Sequence, residues 1–302
     1  MFEKDKSNNK PPIAIFGEVL IDQFPDGQQV LGGAPFNVAW HLQAFSQAFC
    51  FISRVGNDVM GANIRQAMTA WGMSDENLQI DFIHSTGVVD VTFNHDEPSY
   101  EILANQAYDF ITTQQLKLTN PCSVLYHGTL ALRNNVSAQT LNYLKDCHTG
   151  KVFIDVNLRA PWWSKDLVRH CLSSANWVKL NYEELMQLVL AQYTLQESMR
   201  LFLAEYALDV LIVTRGSIGA IALNNKGEFV EVTPSVNLTI VDTVGAGDAF
   251  AAVLLLGLQQ DWLLSVTMTR AQAFASALVA KRGATVHDLS FYQPFIKEWY
   301  LA

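Results

Sequence analysis

Asp242-Thr243-Val244-Gly245-Ala246-Gly247-Asp248 stands between two apolar runs late in the chain. The run before it, Leu238-Thr239-Ile240-Val241, is rich in β-branched residues and reads as a strand. The run after it, from Asp248 through Ala249, Phe250, Ala251, Ala252, Val253, Leu254 and Leu255 to Leu256, reads as a helix. Strand, glycine turn and helix N-terminus together present free backbone N–H groups to an anion. Gly245 and Gly247 allow backbone angles and a close approach that a Cβ would block. Asp248 is the odd member. A carboxylate suits the first turn of a helix, but inside a phosphate cradle it repels the phosphate. It makes sense there if it takes a proton from an attacking hydroxyl. Phosphoryl transfer needs that pairing of donors with one acceptor. For an isolated turn of this kind, simple capping by Asp248 is the simpler reading. A dinucleotide-binding turn fits worse. The segment comes late in the chain, and Gln259-Gln260-Asp261 supplies an acid too early for that fingerprint. No Walker-type glycine loop occurs.

The rest of the 302-residue chain suits one large α/β domain. Half of it is apolar and only 16% is charged, which supports a large core and excludes wholesale disorder. A net charge of -9, with Lys281-Arg282 as the densest basic cluster, excludes a duplex-binding surface. The scattered Cys50, Cys122, Cys147 and Cys171 have no metal-ligand spacing and read as thiols in a reducing compartment. The polar start, Met1 to Pro12, lacks the apolar core of a signal peptide. No run approaches ~20 apolar residues, so no membrane span is expected and a cytoplasmic location is.

Strand-like and helix-like segments alternate along the chain. Strands are expected at Ile13 to Phe16, Phe49 to Ser53, Val124 to Tyr126, Val152 to Val156, Trp177 to Leu180 and Val210 to Thr214. Helices are expected at Phe36 to Gln47 and Gly61 to Ala70, and at about 137–147, 164–174, 183–190 and 195–207. This alternation predicts a mainly parallel sheet covered on both faces. Residues 86–103 break the pattern as strand, turn and strand, and with residues 18–24 and 30–31 they suggest a small accessory sheet.

Four ordered motifs sharpen the reading. They are Gly17-Glu18-Val19-Leu20-Ile21-Asp22, Gly32-Gly33-Ala34-Pro35-Phe36-Asn37-Val38-Ala39, Arg54-Val55-Gly56-Asn57-Asp58 ending at Gly61, and Asp242 to Asp248. In this order along nearly the whole chain, they resemble the ribokinase-like (PfkB) carbohydrate kinases, and among them the fructokinases. The resemblance implies a three-layer α/β fold with a mainly parallel central sheet. It also implies a single kinase domain over 1–302 and a small β lid from about 18–31 and 86–103. It implies ATP as co-substrate, Mg²⁺, K⁺ as a further ion, and a homodimer through the lid.

The resemblance also implies roles for individual residues. Asp248 would be the base, with Gly245, Ala246 and Gly247 as the anion turn. Asp22, Gly33 and Asn37 would contact the sugar, and carboxylate and amide groups of this kind can bridge two hydroxyls. Asn181-Tyr182-Glu183-Glu184 matches a motif that orders water and Mg²⁺, although Asn181 and Glu184 at this spacing also make a plain capping box. Thr214, Gly216 and Gly219 match the nucleotide-side turn, and Gln272 falls by count near adenine. Asp242 matches a monovalent-cation ligand; relatives often carry Thr at 243 or 244, and Val244 lacks that side-chain oxygen. Gly-Gly-Ala-Pro-x-Asn and Asp155-Val156-Asn157-Leu158-Arg159 resemble fructokinases. Arg159 offers a cationic fork for a phosphate or a sugar oxygen. Ribokinases place a glutamate where this chain has His127-Gly128-Thr129. The expected reaction is attack of fructose O6 on ATP. A kinase for 2-keto-3-deoxygluconate, aminoimidazole riboside or ribose, or a catalytically silent sugar-binding protein, are the alternatives.

Overall fold

The structure is a computed structural model that describes residues 10–94, 97–117, 121–190, 193–235 and 240–301. The polar first nine residues and the 95–96 turn of the expected hairpin lie outside the described residues.

The strands are β1 (Ile13–Phe16), β2 (Leu20–Gln23), β3 (Gln29–Gly32), β4 (Phe49–Gly56), β5 (Leu78–Asp81), β6 (Gly87–Asn94), β7 (Glu97–Ile102), β8 (Val124–His127), β9 (Lys151–Asp155), β10 (Trp177–Asn181), β11 (Val210–Thr214), β12 (Ala220–Asn224) and β13 (Phe229–Val232). The helices are α1 (Ala34–Ala44), α2 (Val59–Ala70), α3 (Asn135–Cys147), α4 (Lys165–Leu172), α5 (Tyr182–Leu188), α6 (Leu195–Glu205), α7 (Ala246–Gln259), α8 (Leu264–Leu278) and α9 (Gln293–Trp299).

One sheet runs β13-β12-β11-β10-β9-β8-β1-β4-β5. It is parallel from β5 to β11, and β12 and β13 add an antiparallel edge. Alternation within β1 shows why both faces must be covered. Ile13 and Ile15 enter one core with α1, α7 and α8, while Ala14 and Phe16 enter the other with α3, α4 and α6. The accessory sheet is present as β3-β2-β6-β7, in which β2 pairs parallel with β6 and antiparallel with β3.

Helix α7 is buried on nearly every side, as a helix that is apolar all round must be. Phe250, Val253, Leu254, Leu255 and Leu256 are at most 3% exposed, and each such side chain contributes about 1.5–3 kcal/mol. Helix α1 packs along α7. The expected helix and strand boundaries fall close to those observed, with α1 starting two residues earlier, at Ala34, because Pro35 suits the first helical turn.

Candidate active site

The carboxyl ends of the parallel strands gather on one edge of the sheet. β1 runs into Gly17 and Glu18, β9 ends on Asp155, β10 on Asn181 and β11 on Thr214. Strand order reverses around β1, with β4 on one side and β8 on the other. In open sheets the crevice outside such a reversal is where ligands bind.

The glycine turn meets this edge. Gly245 caps α7 with φ 76° and no side-chain hydrogen bond. A Cβ there would lie 2.4 Å from Cα of Ala284, so both the angle and the space demand glycine. The first-turn N–H groups of α7 have no acceptor within the helix. Asp242 braces the turn: one oxygen accepts from the Val244 N–H at 3.0 Å and the other from the Gly283 N–H at 2.9 Å.

The segment leading into the turn differs from expectation. Ile240 and Val241 form no strand, and Leu238 and Thr239 lie outside the described residues. The Val241 and Asp242 N–H groups donate instead to the Val279 carbonyl, at 2.8 and 3.1 Å. A helix C-terminus has free carbonyls, and the end of α8 satisfies this β-branched run where a sheet neighbour was expected.

Asp248 occupies the first turn of α7. Its Oδ2 accepts a hydrogen bond from Asn37 Nδ2 at 2.7 Å. Burial pushes its carboxyl up to about 6, and the Asp155 charge adds to this; the Asn37 hydrogen bond, Lys179 and Arg159 oppose it. Asn37 is presented by α1, which starts from Gly33 at φ 107°. A Cβ on Gly33 would lie 2.7 Å from the Glu18 carbonyl oxygen. Asp22, on β2, is half-buried, and burial raises it to about 6 against the pull of Arg159. The exposed Arg159 therefore acts on both Asp22 and Asp248, and Asn37 touches Asp248. Four separate sequence segments converge here.

Asn181 and Glu184 form the capping box. Asn181 Oδ1 accepts from the Glu184 N–H at 2.7 Å, Glu184 Oε2 accepts from the Asn181 N–H at 2.8 Å, and Oε1 accepts from the Leu158 N–H at 2.7 Å. Each carboxylate oxygen keeps a lone pair, which suits a cation held through water. Among the described residues no three His, Cys, Asp or Glu side chains cluster to hold a metal directly. On the next strand, Thr214 ends β11 in register with Asn181, and Gly216 and Gly219 shape the turn into β12 with φ of 54° and 104°. Gln272 lies on α8, which packs on β12 and β13; its amide donates to Ser276 Oγ at 3.1 Å.

Two features escaped the sequence reading. Lys179 Nζ lies 2.8 and 2.7 Å from the two Asp155 oxygens, and both side chains are almost fully buried. Tyr126 Oη donates to the same carboxylate at 3.3 Å. A Cβ on Gly247 would sit 3.5 Å from Nζ, so the ammonium lies directly beneath the glycine turn. The available signal was a charge inside each of two apolar strands, in Val178-Lys179-Leu180 and Ile154-Asp155-Val156. The second feature is Glu18, buried at 2% exposure with Oε2 unpartnered.

The edge thus combines free N–H donors and a buried ammonium for an anion with a carboxylate of raised proton affinity for a hydroxyl. Known proteins share this chain's sequence and fold over most of its length. The chain is 27% identical over 299 residues to aminoimidazole riboside kinase of Salmonella typhimurium, covering 92% of each. It is 30% identical over 263 residues to fructokinase of Escherichia coli, covering 82% of this chain and 85% of that one. It also superposes on a double-mutant fructokinase from Vibrio cholerae O395, solved in a fructose-, ADP- and potassium-bound form. That match has a TM-score of 0.81 at 25% identity and covers 95% of this chain and 99% of the other. The model of the pfkB family of carbohydrate kinases matches residues 11–289, from the start of β1 to beyond α8, and the chain belongs to that family.

Proposed function

We propose that the chain is an ATP-dependent fructokinase that transfers the γ-phosphoryl group of ATP to the 6-hydroxyl of fructose, with Asp248 as general base. The observation that carries this reading is the 2.7 Å contact between Asn37 and Asp248. It joins the sugar-side motif to the anion turn, so that a hydroxyl held near Asn37 faces both the base and the N–H donors. Asp22, Gly33, Asn37 and Arg159 hold the sugar. Gly245, Ala246 and Gly247 receive the transferring group. Thr214, Gly216, Gly219 and Gln272 flank the nucleotide. Mg²⁺, held through water by Asn181 and Glu184, would offset phosphate charge. Asp242, already bracing its turn, is the residue for K⁺. The sheet of β2, β3, β6 and β7, spanning about 18–31 and 86–103, acts as a lid that keeps water from taking the phosphoryl group, and its outer side joins two copies of the chain.

Fructose is favoured by Gly32-Gly33-Ala34-Pro35-Phe36-Asn37, by Asp155 to Arg159, and by the similarity to the Escherichia coli fructokinase. The similarity to aminoimidazole riboside kinase favours a second reading, a riboside substrate. An ADP-release assay across fructose, glucose, ribose, 2-keto-3-deoxygluconate and a riboside should show the highest kcat/KM for fructose. Preference for the riboside would select the second reading, and no turnover on any sugar would remove the kinase assignment for this chain.

Asp248 also fixes the main pH dependence. It works as a base only when ionised, and its carboxyl is raised to about 6. kcat/KM for fructose should therefore fall steeply as pH drops through about 6. A rate that is unchanged down to about pH 5 would show that no carboxyl of this kind accepts the proton.

A further inference from the structure

Arg159 is exposed on the loop that follows β9, and among the described residues none hydrogen-bonds its guanidinium. Its aim must come from its backbone, because the arginine side chain is long and carries much rotamer freedom. That backbone is held at both ends. Just before it, the Leu158 N–H donates to Glu184 Oε1 at 2.7 Å. Just after it, the Arg159 carbonyl accepts from the Trp162 N–H at 2.7 Å, which closes a four-residue turn. Trp162 then reaches out of the turn. Its indole N–H donates at 3.1 Å to the carbonyl of Ile102, the last residue of β7 in the accessory sheet.

Strand register shows what this contact joins. Ile102 pairs with Val89 on β6, and Val89 pairs with Asp22 on β2. The carbonyl bound by Trp162 therefore belongs to the cross-strand row that carries Asp22. Oδ2 of Asp22 lies 2.8 Å from where a Cβ on Gly32 would be, so its carboxylate faces the Gly32-Gly33 entry to α1. Asp22 and the Arg159 loop stand on different sheets, and the ladder of neither sheet sets the distance between them. Trp162 spans that junction. Packing alone does not account for it. The Arg133 guanidinium carbon lies 4.3 Å from its ring centre, and phenylalanine would cover that cation as well. The strand end does not need Trp162 either. Arg133 grips both Asp109 oxygens at 2.8 Å and donates to the Leu103 carbonyl, which already anchors the end of β7. The indole N–H is what links this anchored strand end to the Arg159 turn.

We propose that Trp162 is a positioning residue that acts through Arg159: its indole N–H fastens the Arg159 turn to the accessory-sheet row of Asp22, and so fixes the spacing of two groups that hold the sugar. The inference rests on the fructokinase reading above, in which Asp22 and Arg159 hold the sugar. Binding groups must be kept within about 0.5 Å of their productive positions. Two residues on separate sheets meet that demand only if the sheets are tied close to both. Trp162 makes its tie three residues from Arg159 and in the row of Asp22. The electrostatics agree: burial raises the Asp22 carboxyl to about 6, and the Arg159 charge opposes that rise. The effect is confined to the sugar side. Glu184 holds Leu158 at the other end of the turn, so the nucleotide side keeps its geometry when the Trp162 contact is cut.

The test is Trp162→Phe, which keeps a ring over Arg133 and loses the N–H. Its fructose KM, and its fructose Kd by calorimetry, should rise about three- to tenfold, the usual effect of losing one hydrogen bond. KM for ATP should stay within about twofold. Trp162→His, which keeps a ring N–H, should recover part of the fructose affinity. In an Arg159→Met background, Trp162→Phe should raise the fructose KM no further, because a residue that acts through Arg159 has nothing left to position. An equal rise in both backgrounds would mean that Trp162 acts without Arg159. A lower melting temperature with an unchanged fructose KM would mean that it only packs on Arg133. Either result overturns the proposal. Amide hydrogen exchange in the sugar-free protein needs neither substrate nor turnover, so it separates failure of this inference from failure of the kinase reading. In Trp162→Phe the main-chain N–H at position 162, which donates to the Arg159 carbonyl, should exchange several-fold faster, while the Leu158 N–H keeps its rate. An unchanged rate at position 162 would overturn the proposal. If Trp162→Phe does not fold, the wild type decides. Its Trp162 main-chain and indole N–H groups should be equally protected, because one opening frees both. A main-chain N–H much less protected than the indole would show that the contact does not hold the turn, and the proposal would fall.

Discussion

Asp248→Asn is expected to lower kcat for fructose phosphorylation by about 10²–10⁴-fold, equivalent to roughly 3–5 kcal/mol of barrier. The substitution is nearly isosteric, and an amide oxygen can still accept from Asn37 Nδ2, which now binds Asp248 at 2.7 Å. Gly245 occupies the N-cap of α7 and Asp248 makes no cap hydrogen bond there, so no cap is lost and stability should barely change. That makes the variant decisive between the two readings of Asp248. If the residue only anchors Asn37 at the first turn of α7, the substituted amide anchors it too and turnover survives. If the residue takes the sugar's proton, the amide cannot, and turnover collapses while fructose still binds. Steady-state kinetics with calorimetric titration of fructose separates these outcomes. A kcat within about threefold of wild type would refute the role of base.

That Asp248 stands out in the sequence reflects what a linear pattern carries. Gly245 and Gly247 announce a backbone requirement, and the acid after them has few neutral explanations once a sugar motif precedes it. The turn is local, so its chemistry lies within seven consecutive residues. Pairings across the sheet are not local. Lys179 and Asp155 are 24 residues apart and meet only because β9 and β10 run side by side in parallel. Glu18 sits in a motif that matters for its resemblance, yet its significance depends on burial and on a missing partner, and neither is written in the sequence. The error before the turn has the same origin. Ile240 and Val241 have strand chemistry, but whether a sheet neighbour or a helix end satisfies their backbone is settled by where α8 terminates. The Asn181–Glu184 segment shows a different limit. Cap and cation site use the same two residues, and the observed hydrogen bonds realise the cap while leaving lone pairs for water-held metal.

Lys179→Met should cost about 3–5 kcal/mol in denaturant unfolding at neutral pH, the usual consequence of breaking a buried ion pair from one side. It strands Asp155 among apolar neighbours with Tyr126 Oη as its remaining side-chain donor. Adding Asp155→Leu removes the stranded charge, and replacing both members of a buried pair with apolar groups is often close to neutral. The double variant should therefore regain most of the lost stability. Its activity should not return. The Lys179 ammonium lies beneath Gly247, 3.5 Å from where a Cβ would be, where a fixed positive charge stabilises an anion arriving at the turn without reorganising. A folded Lys179→Met/Asp155→Leu protein with kcat reduced about 10²-fold would place the pair in the catalytic electrostatics. Recovery of both stability and turnover would leave it as a device of the fold. The two results differ because stability responds to the sum of the two charges, whereas an anion at the glycine turn responds mainly to the nearer one.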